Sequence, residues 1–235
     1  MFKGIVTIII PVFNEKKYIE QIIKKINKYI GFKKQIIVID DCSIDGTRNI
    51  IKKIKNIDKK IFHKNNLGKG AAIKSAIPYV KGDIVAIQDA DLEYNPKDLN
   101  KLVKILNSKN LRVIYGSRVM GKKRYNNKIF LSNYRILGNH ILTIISNFLN
   151  NQKLTDAHTC YKVFRKEIFI KLNLKENDFA FCPEVTTKLH LLNENITEVP
   201  ISYKGRSVSE GKKIKFLDAI RALITILKYK YIVKI

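Results

Sequence analysis

The chain of 235 residues contains no tryptophan and only three cysteines, Cys42, Cys160 and Cys182. Their odd number and wide spacing fit neither a disulfide framework nor paired zinc knuckles, so reduced thiols are expected and cysteine-based metal binding is not. Proline and glycine are also sparse, at 5 and 11 residues. No proline-rich linker, repeat or low-complexity tract divides the chain, which predicts one compact unit over residues 1–235. The longest apolar stretches, residues 141–149 and 219–227, are interrupted by Ser146, Asn147, Arg221 and Thr225. Both fall short of the ~20 residues that span a bilayer, so no transmembrane helix is expected. Met1 leads into a strand-like segment with Lys3 as its only charged flank, and no cleavable leader is expected.

Acidic residues are the scarce charge: 20 Asp and Glu stand against 45 Lys and Arg, a formal net charge of +25. Such an excess favours polyanions, namely nucleic acid, an anionic membrane surface or phosphate-bearing substrates. Part of it is compositional, since lysine, isoleucine and asparagine recur throughout as they would in a chain encoded by AT-rich DNA. With no zinc-finger spacing, helix-turn-helix pattern or RNP-like aromatic signature, nucleic acid is not an expected partner.

What the chain does have is alternation. Short β-branched runs at residues 6–12, 35–40, 60–63, 83–88 and 112–116 alternate with helical patterns at 17–29, after Gly46-Thr47, and at 69–80 and 96–107. This predicts an α/β fold with a mainly parallel sheet flanked by helices. Ile19, Ile22, Ile23 and Ile26 mark a helix face, and Pro96 suits a helix first turn. Beyond Arg118 a basic loop spans residues 121–128, and Phe130, Tyr134, Leu137, Ile141, Ile144 and Phe148 stripe a long helix. Core packing is the expected use of that stripe, a membrane interface the alternative. The segment from Ile214 to Ile235 mixes Phe216, Ile220, Leu223, Ile224 and Leu227 with Lys212, Lys213, Lys215, Arg221, Lys228 and Lys230, a basic amphipathic pattern suited to anionic lipid.

Each polar cluster follows a strand, so all should meet at one sheet edge, where open α/β sheets bind ligands. The run Gly82–Glu93 delivers Asp89 and Asp91 there, and carboxylates so placed suit a divalent cation holding phosphates, or alternatively a strand end and helix cap. Ile10-Pro11-Val12-Phe13-Asn14-Glu15 follows the first strand, and Asp40-Asp41-Cys42-Ser43-Ile44-Asp45-Gly46-Thr47 the second. Asp40 alone is equally explained by satisfying loop amides.

In order and spacing these three patterns resemble the inverting family 2 glycosyltransferases of the GT-A (Rossmann-like) fold. Asn66-Leu67-Gly68-Lys69-Gly70, Tyr115-Gly116-Ser117-Arg118, the segment 155–164 and Val199–Arg206 extend the likeness to the dolichyl-phosphate mannose and glucose synthases and their bacterial polyprenyl-phosphate relatives, over nearly the whole chain. The resemblance implies transfer of a hexose from a nucleotide sugar, of GDP-mannose or UDP-glucose type, to a polyprenyl phosphate such as dolichyl or undecaprenyl phosphate. A saccharide hydroxyl acceptor is the alternative reading, and a non-catalytic basic binding module a distant one. Without tryptophan the chain cannot carry the Gln-x-x-Arg-Trp motif of processive polysaccharide synthases.

By the same likeness Pro11, Phe13, Glu15 and Asp41 line the base and ribose pocket, and Lys69 adds charge at the sugar or diphosphate. Asp89 and Asp91 hold Mg²⁺ or Mn²⁺, with Glu93, where some relatives have glutamine, as a further ligand or a solvated first-turn residue. Arg118, Arg135 and Arg206 clamp the acceptor phosphate, while Asn139 stands where some relatives have serine. Asp156 and Glu184 are either donor-orienting or basic groups, with a bracing role equally open for Glu184. His63, His140, His158 and His190 lack metal-ligand spacing and are read as surface or packing residues. The implied division is a nucleotide-sugar half, 1–117, and an acceptor half, 118–235. The implied location is the cytoplasmic face of a membrane, held peripherally by its anionic surface, with room for a membrane-anchoring partner protein.

Overall fold

A computed structural model describes residues 2–120, 133–206 and 216–233, with side chains undescribed at 133–137 and 216–218. The basic loop 121–128, Phe130, Lys212, Lys213 and Lys215 lie outside the described residues, as do the side chains of Tyr134, Arg135, Leu137 and Phe216. The sheet has seven strands: β1 (Val6–Val12), β2 (Lys34–Asp40), β3 (Lys59–Phe62), β4 (Ile84–Ile87), β5 (Val113–Ser117), β6 (Lys162–Arg165) and β7 (Ile196–Pro200). Their order is β3-β2-β1-β4-β6-β5-β7. Only β6 is antiparallel to its neighbours, β4 and β5.

β1 lies inside the sheet, with Val6, Ile8, Ile9 and Ile10 fully buried, so its near-continuous apolar run is that of a strand covered on both faces. In register Val12 meets Asp40 on β2, while Ile9 meets Ile87 on β4. The ends of these three strands therefore release Glu15, Asp41 and Asp89 at one edge. The reversed β6 enters the sheet from that edge, so the residues just before it arrive at the same place. Tyr161 donates its hydroxyl hydrogen to Gln88 Oε1 at 2.7 Å, pinning the two strand ends together.

The helices are α1 (Ile19–Tyr29), α2 (Thr47–Lys53), α3 (Lys69–Ala76), α4 (Pro96–Ser108), α5 (Asn133–Asn150), α6 (Lys166–Lys171), α7 (Phe181–Leu191) and α8 (Phe216–Leu227). The four isoleucines of α1 are buried as their spacing predicts. α3 stops at Ala76, short of the predicted 80. Pro78 supplies no N–H to continue it, and a 3₁₀ turn follows at Ile77–Tyr79. α8 likewise passes into a π-helical turn, Lys228–Ile232.

One expectation is overturned. The described members of the α5 stripe do not enter the core: Ile141, Ile144 and Phe148 are exposed, while Thr143, Ser146 and Asn150 face inward beside Leu142. Those inward groups bond with helix backbone or neighbouring side chains, so the polar side of the helix packs where the apolar side was expected. No described helix is long and apolar enough to cross a membrane.

Candidate active site

β4 places Asp89 and Asp91 just past its last residue, Ile87, with Asp89 facing α3 and Asp91 facing the segment after β7. Lys69, the first residue of α3, donates to Asp89 Oδ1 at 2.5 Å. Burial alone would lower the Lys69 amine, but Asp89 holds it well above its ordinary value. The α3 entry needs its glycines for packing. A Cβ on Gly68, whose φ is +96°, would collide with the Asn177 carbonyl, and one on Gly70 with that of Glu176.

Arg206 gathers the other carboxylates. Its guanidinium donates to Glu15 at 3.0 and 3.2 Å and to Asp91 Oδ2 at 2.9 Å, and its backbone N–H donates to Glu93 Oε1 at 2.9 Å. Glu93 also accepts from the Tyr203 hydroxyl at 2.5 Å, so it is buried and bonded rather than solvated, and it precedes helix α4 rather than opening it. Burial, then repulsion from Asp89 and Glu93, raises the Asp91 carboxyl to about 7 against the attraction of Arg206. This acidic cluster is short of positive charge, which Lys69 and Arg206 supply from within the chain. Two surface depressions of about 500 Å³ lie elsewhere, one beside Asp83 and Arg165, the other between Gln152 and His190.

Arg118 follows β5 and is held by Asp156 through a bidentate pair, both bonds 2.7 Å, with a third bond from its own backbone N–H at 3.0 Å. Burial alone would raise the Asp156 carboxyl, but Arg118 holds it below its usual range. Glu198 on β7 fixes this loop by accepting from the N–H groups of Thr155 and Asp156 at 2.6 and 2.9 Å. The Arg118 guanidinium lies 5.2 Å from the centre of the Tyr203 ring, which links the two arginine centres through one aromatic side chain.

Asp41 accepts from the N–H groups of Leu67 and Gly68 at 2.9 and 2.8 Å and meets His63 Nδ1 at 2.7 Å. His63 reaches Ser75 through its other ring nitrogen at 2.8 Å, so this histidine is buried packing that also orients Asp41. Asp40 accepts from Ser43 N–H and, at 2.6 Å, from Arg48 Nε, the loop-bracing use open to it from the start. Glu184 is fully buried, accepting from the N–H groups of Lys175 and Glu176 and pairing with Lys188, and it braces the 175–178 loop. Pro11 and Phe13 sit partly exposed at the end of β1. Arg135 is on α5, its side chain outside the described residues.

The structure thus brings together Glu15, Lys69, Asp89, Asp91, Glu93 and Arg206, with Arg118 and Asp156 joined through Tyr203. Among the described residues no group of three His, Cys, Asp or Glu side chains is arranged to hold a metal alone. Two carboxylates beside a diphosphate are enough for Mg²⁺, which keeps several ligands from water and substrate phosphate. Asp89 and Asp91 fit that use as hard oxygen donors in a cluster where four carboxylates, Glu15, Asp89, Asp91 and Glu93, face the two cations Lys69 and Arg206. Sequence reasoning missed Tyr203, Glu198 and the role of His63. Tyr203 lay within a recognised segment, whereas nothing in the residues around Glu198 marked it.

Comparison with known proteins accords with this geometry. The family model described as Glycosyl transferase family 2 matches residues 7–172. An uncharacterized protein of Methanocaldococcus jannaschii is 31% identical over 220 residues, covering 90% of this chain and 87% of that protein. A dolichyl-phosphate beta-glucosyltransferase of Trichomonas vaginalis, ALG5D, is 24% identical over 241 residues, covering 95% of this chain and 72% of the relative. The crystal structure of glucosyl-3-phosphoglycerate synthase from Mycobacterium tuberculosis, in complex with Mn²⁺, UDP and phosphoglyceric acid, superposes with a TM-score of 0.71 at 17% identity, over 98% of this chain and 80% of that one.

Proposed function

The chain belongs to glycosyltransferase family 2 and has the GT-A fold, and from that premise we propose that it transfers a hexose from a nucleotide sugar to a polyprenyl phosphate with inversion at the anomeric carbon. Residues 1–117 form the donor half in this reading and 118–235 the acceptor half. UDP-glucose is the first donor to test, given the glucosyltransferase relative and the UDP held by the structural neighbour, with GDP-mannose as its competitor.

The observation that carries the acceptor assignment is the ion pairing at the strand edge. Glu15, Asp91 and Glu93 are engaged by Arg206, Asp89 by Lys69, Asp156 by Arg118 and Glu184 by Lys188. Asp91, the one of these whose carboxyl is raised to about 7, is paired with Arg206 and assigned to the metal in this reading, whereas a hydroxyl acceptor requires a base free within hydrogen-bond reach. A phosphomonoester, with a second pKa of about 6, is already largely dianionic at neutral pH and attacks without one.

Glu15, Asp41, Pro11 and Phe13 then receive the base and ribose. Lys69 and the arginines stabilise phosphate charge, and Arg118, Arg135 and Arg206 align the acceptor. Mg²⁺ or Mn²⁺ bound by Asp89 and Asp91 with the donor diphosphate would neutralise charge on the leaving nucleoside diphosphate. The basic chain works at the cytoplasmic face of an anionic membrane.

The test is a donor panel with a short-chain polyprenyl phosphate and either metal, scoring lipid-linked hexose. Metal-dependent product from one donor supports the reading. A free sugar or unphosphorylated polyprenol accepted as readily would replace it with transfer to a hydroxyl.

A further inference from the structure

α5 turns apolar side chains outward and, beside Leu142, polar ones inward. A surface helix of a globular protein turns its apolar side to the core and its polar side to water. Here Ile141, Ile144 and Phe148 are 47%, 52% and 85% exposed, while Thr143, Ser146 and Asn150 are buried. The inward positions are not chance burials. Asn150 donates to Thr187 Oγ1 on α7 and Thr143 Oγ1 accepts from the Ala157 N–H, which fasten the polar side to the body of the protein, while the Asn150–Ser146 and Thr143–Asn139 bonds lie within α5.

α8 also exposes apolar side chains, although its inward side is mainly apolar. Ile220, Ile224 and Leu227 point outward, and the stripe continues through Tyr231 and Ile232, which are 69% and 77% exposed. Ala222, Thr225, Ile226 and Tyr229 face inward. α5 and α8 pack on each other, and both pack on α7, which is buried from Phe181 to Leu189. The two exposed stripes thus belong to one two-helix layer over a common buried helix. Exposed apolar side chains grouped on adjoining helices mark a candidate interaction site.

We propose that the α5–α8 layer is a membrane-docking face, which inserts Ile144, Phe148, Ile224 and Tyr231 into the headgroup and acyl boundary of an anionic bilayer. Charge selects the occupant. Two copies of a chain carrying +25 repel each other, whereas an anionic lipid surface attracts one. Arg221, exposed beside Ile220 and Ile224, and Lys228, beside Leu227, stand among the apolar positions, as cations do in helices lying in a membrane interface, although each also pairs with a carboxylate, Asp178 at 3.2 Å and Glu176 at 2.7 Å, so the attraction rests on the net excess of the whole chain. Tyr231 adds an aromatic ring with a polar tip, suited to the same depth. The inference rests on the lipid-acceptor reading for its biological setting. It adds an apolar component to a membrane contact that charge alone would leave fully salt-sensitive.

The test is co-sedimentation with phosphatidylcholine vesicles containing phosphatidylglycerol and no polyprenyl phosphate, at low and raised salt. The wild-type chain is expected to keep a bound fraction at raised salt. The quadruple variant Ile144→Asn, Phe148→Ser, Ile224→Asn and Tyr231→Ser should lose that fraction by about tenfold or more, with its circular dichroism and melting temperature unchanged. If the quadruple variant does not fold, Phe148→Ser with Tyr231→Ser, the two most exposed sites of the four, gives a smaller loss in the same assay. Wild-type binding abolished by salt, equal salt-resistant binding by a folded variant, or a wild-type dimer that becomes a monomer in the variant without any vesicle binding would each overturn the proposal. Transfer to a water-soluble short-chain phosphate should be the same in wild type and variant. Its absence in both would sink the acceptor reading while leaving the docking result to stand by itself.

Discussion

Arg206 donates to Asp91 across 115 residues of sequence, at 2.9 Å, and in doing so ties the segment after β7 to the end of β4. The same guanidinium holds Glu15 from the end of β1. One cation therefore joins residues assigned to base, metal and acceptor functions, and a donor diphosphate with its metal has to share or displace it.

Replacing Asp91 by Asn should reduce transfer by about 10²-fold or more, because the cation that would neutralise the leaving diphosphate loses one of its two carboxylate ligands. The fold should persist. Asp91 is repelled by Asp89 and Glu93 in a buried setting, and Arg206 retains Glu15 and Glu93 after the change. Transfer rates with and without chelator, read beside a thermal melt, check both halves. An active chelated enzyme would remove the metal from the mechanism.

Arg118 is held by Asp156, and Arg206 by Glu15 and Asp91. Arg206→Lys keeps a charge but loses the fork that spans Glu15 and Asp91, and Arg135→Lys loses the fork on α5. Each should raise the acceptor KM by about tenfold while changing nucleotide affinity far less. Steady-state kinetics with the short-chain acceptor and calorimetry with the nucleoside diphosphate separate the effects. Equal losses in both would place the arginine on the donor instead.

Asp156 and Arg118 form a buried bidentate pair, and removing one partner strands the other. Asp156→Ala should destabilise the fold by about 3–5 kcal/mol, the range for an uncompensated buried charge. Denaturant unfolding measures it. A loss under about 1 kcal/mol would mean that water reaches Arg118 freely, as it does in exposed pairs.

Much of the carboxylate-bearing strand edge was legible in the sequence, for physical reasons. β1, β2 and β4 are nearly unbroken apolar, largely β-branched runs that end in or are soon followed by a carboxylate, and buried parallel strands have few other ways to read. β6 was not legible as a strand. Its first residue, Lys162, looks like surface, yet its side chain is fully buried and donates to the Ala157 and Thr159 carbonyls at 3.0 and 2.6 Å. The α5 face failed differently. Periodicity showed that the helix had an apolar side, but not which way that side points, since orientation depends on the partners its polar groups find. Glu93 was read as a ligand or a solvated side chain because its partners, Tyr203 and Arg206, lie more than 100 residues away.

His158 sets a pH dependence that can be isolated. Its Nε2 is buried without a hydrogen-bond partner. Burial, then the nearby Lys162 charge, outweighs Asp156 and, with a smaller push from Arg118, lowers the ring's pKa to about 4. In the unfolded chain the same ring titrates near its ordinary value of about 6.5. Between those two values the unfolded state binds more protons than the folded one, so stability falls as pH drops through the window and is unaffected by this group above it. From about pH 7 to about pH 5 the loss should be roughly 2 kcal/mol. Other carboxylates titrate in the same range, so the informative quantity is the difference between wild type and His158→Asn. Urea unfolding midpoints at the two pH values should show a shallower decline in the variant. Identical declines, or an imidazole that titrates near 6.5 in the folded protein by NMR, would show that water or a rearranged neighbour solvates the ring.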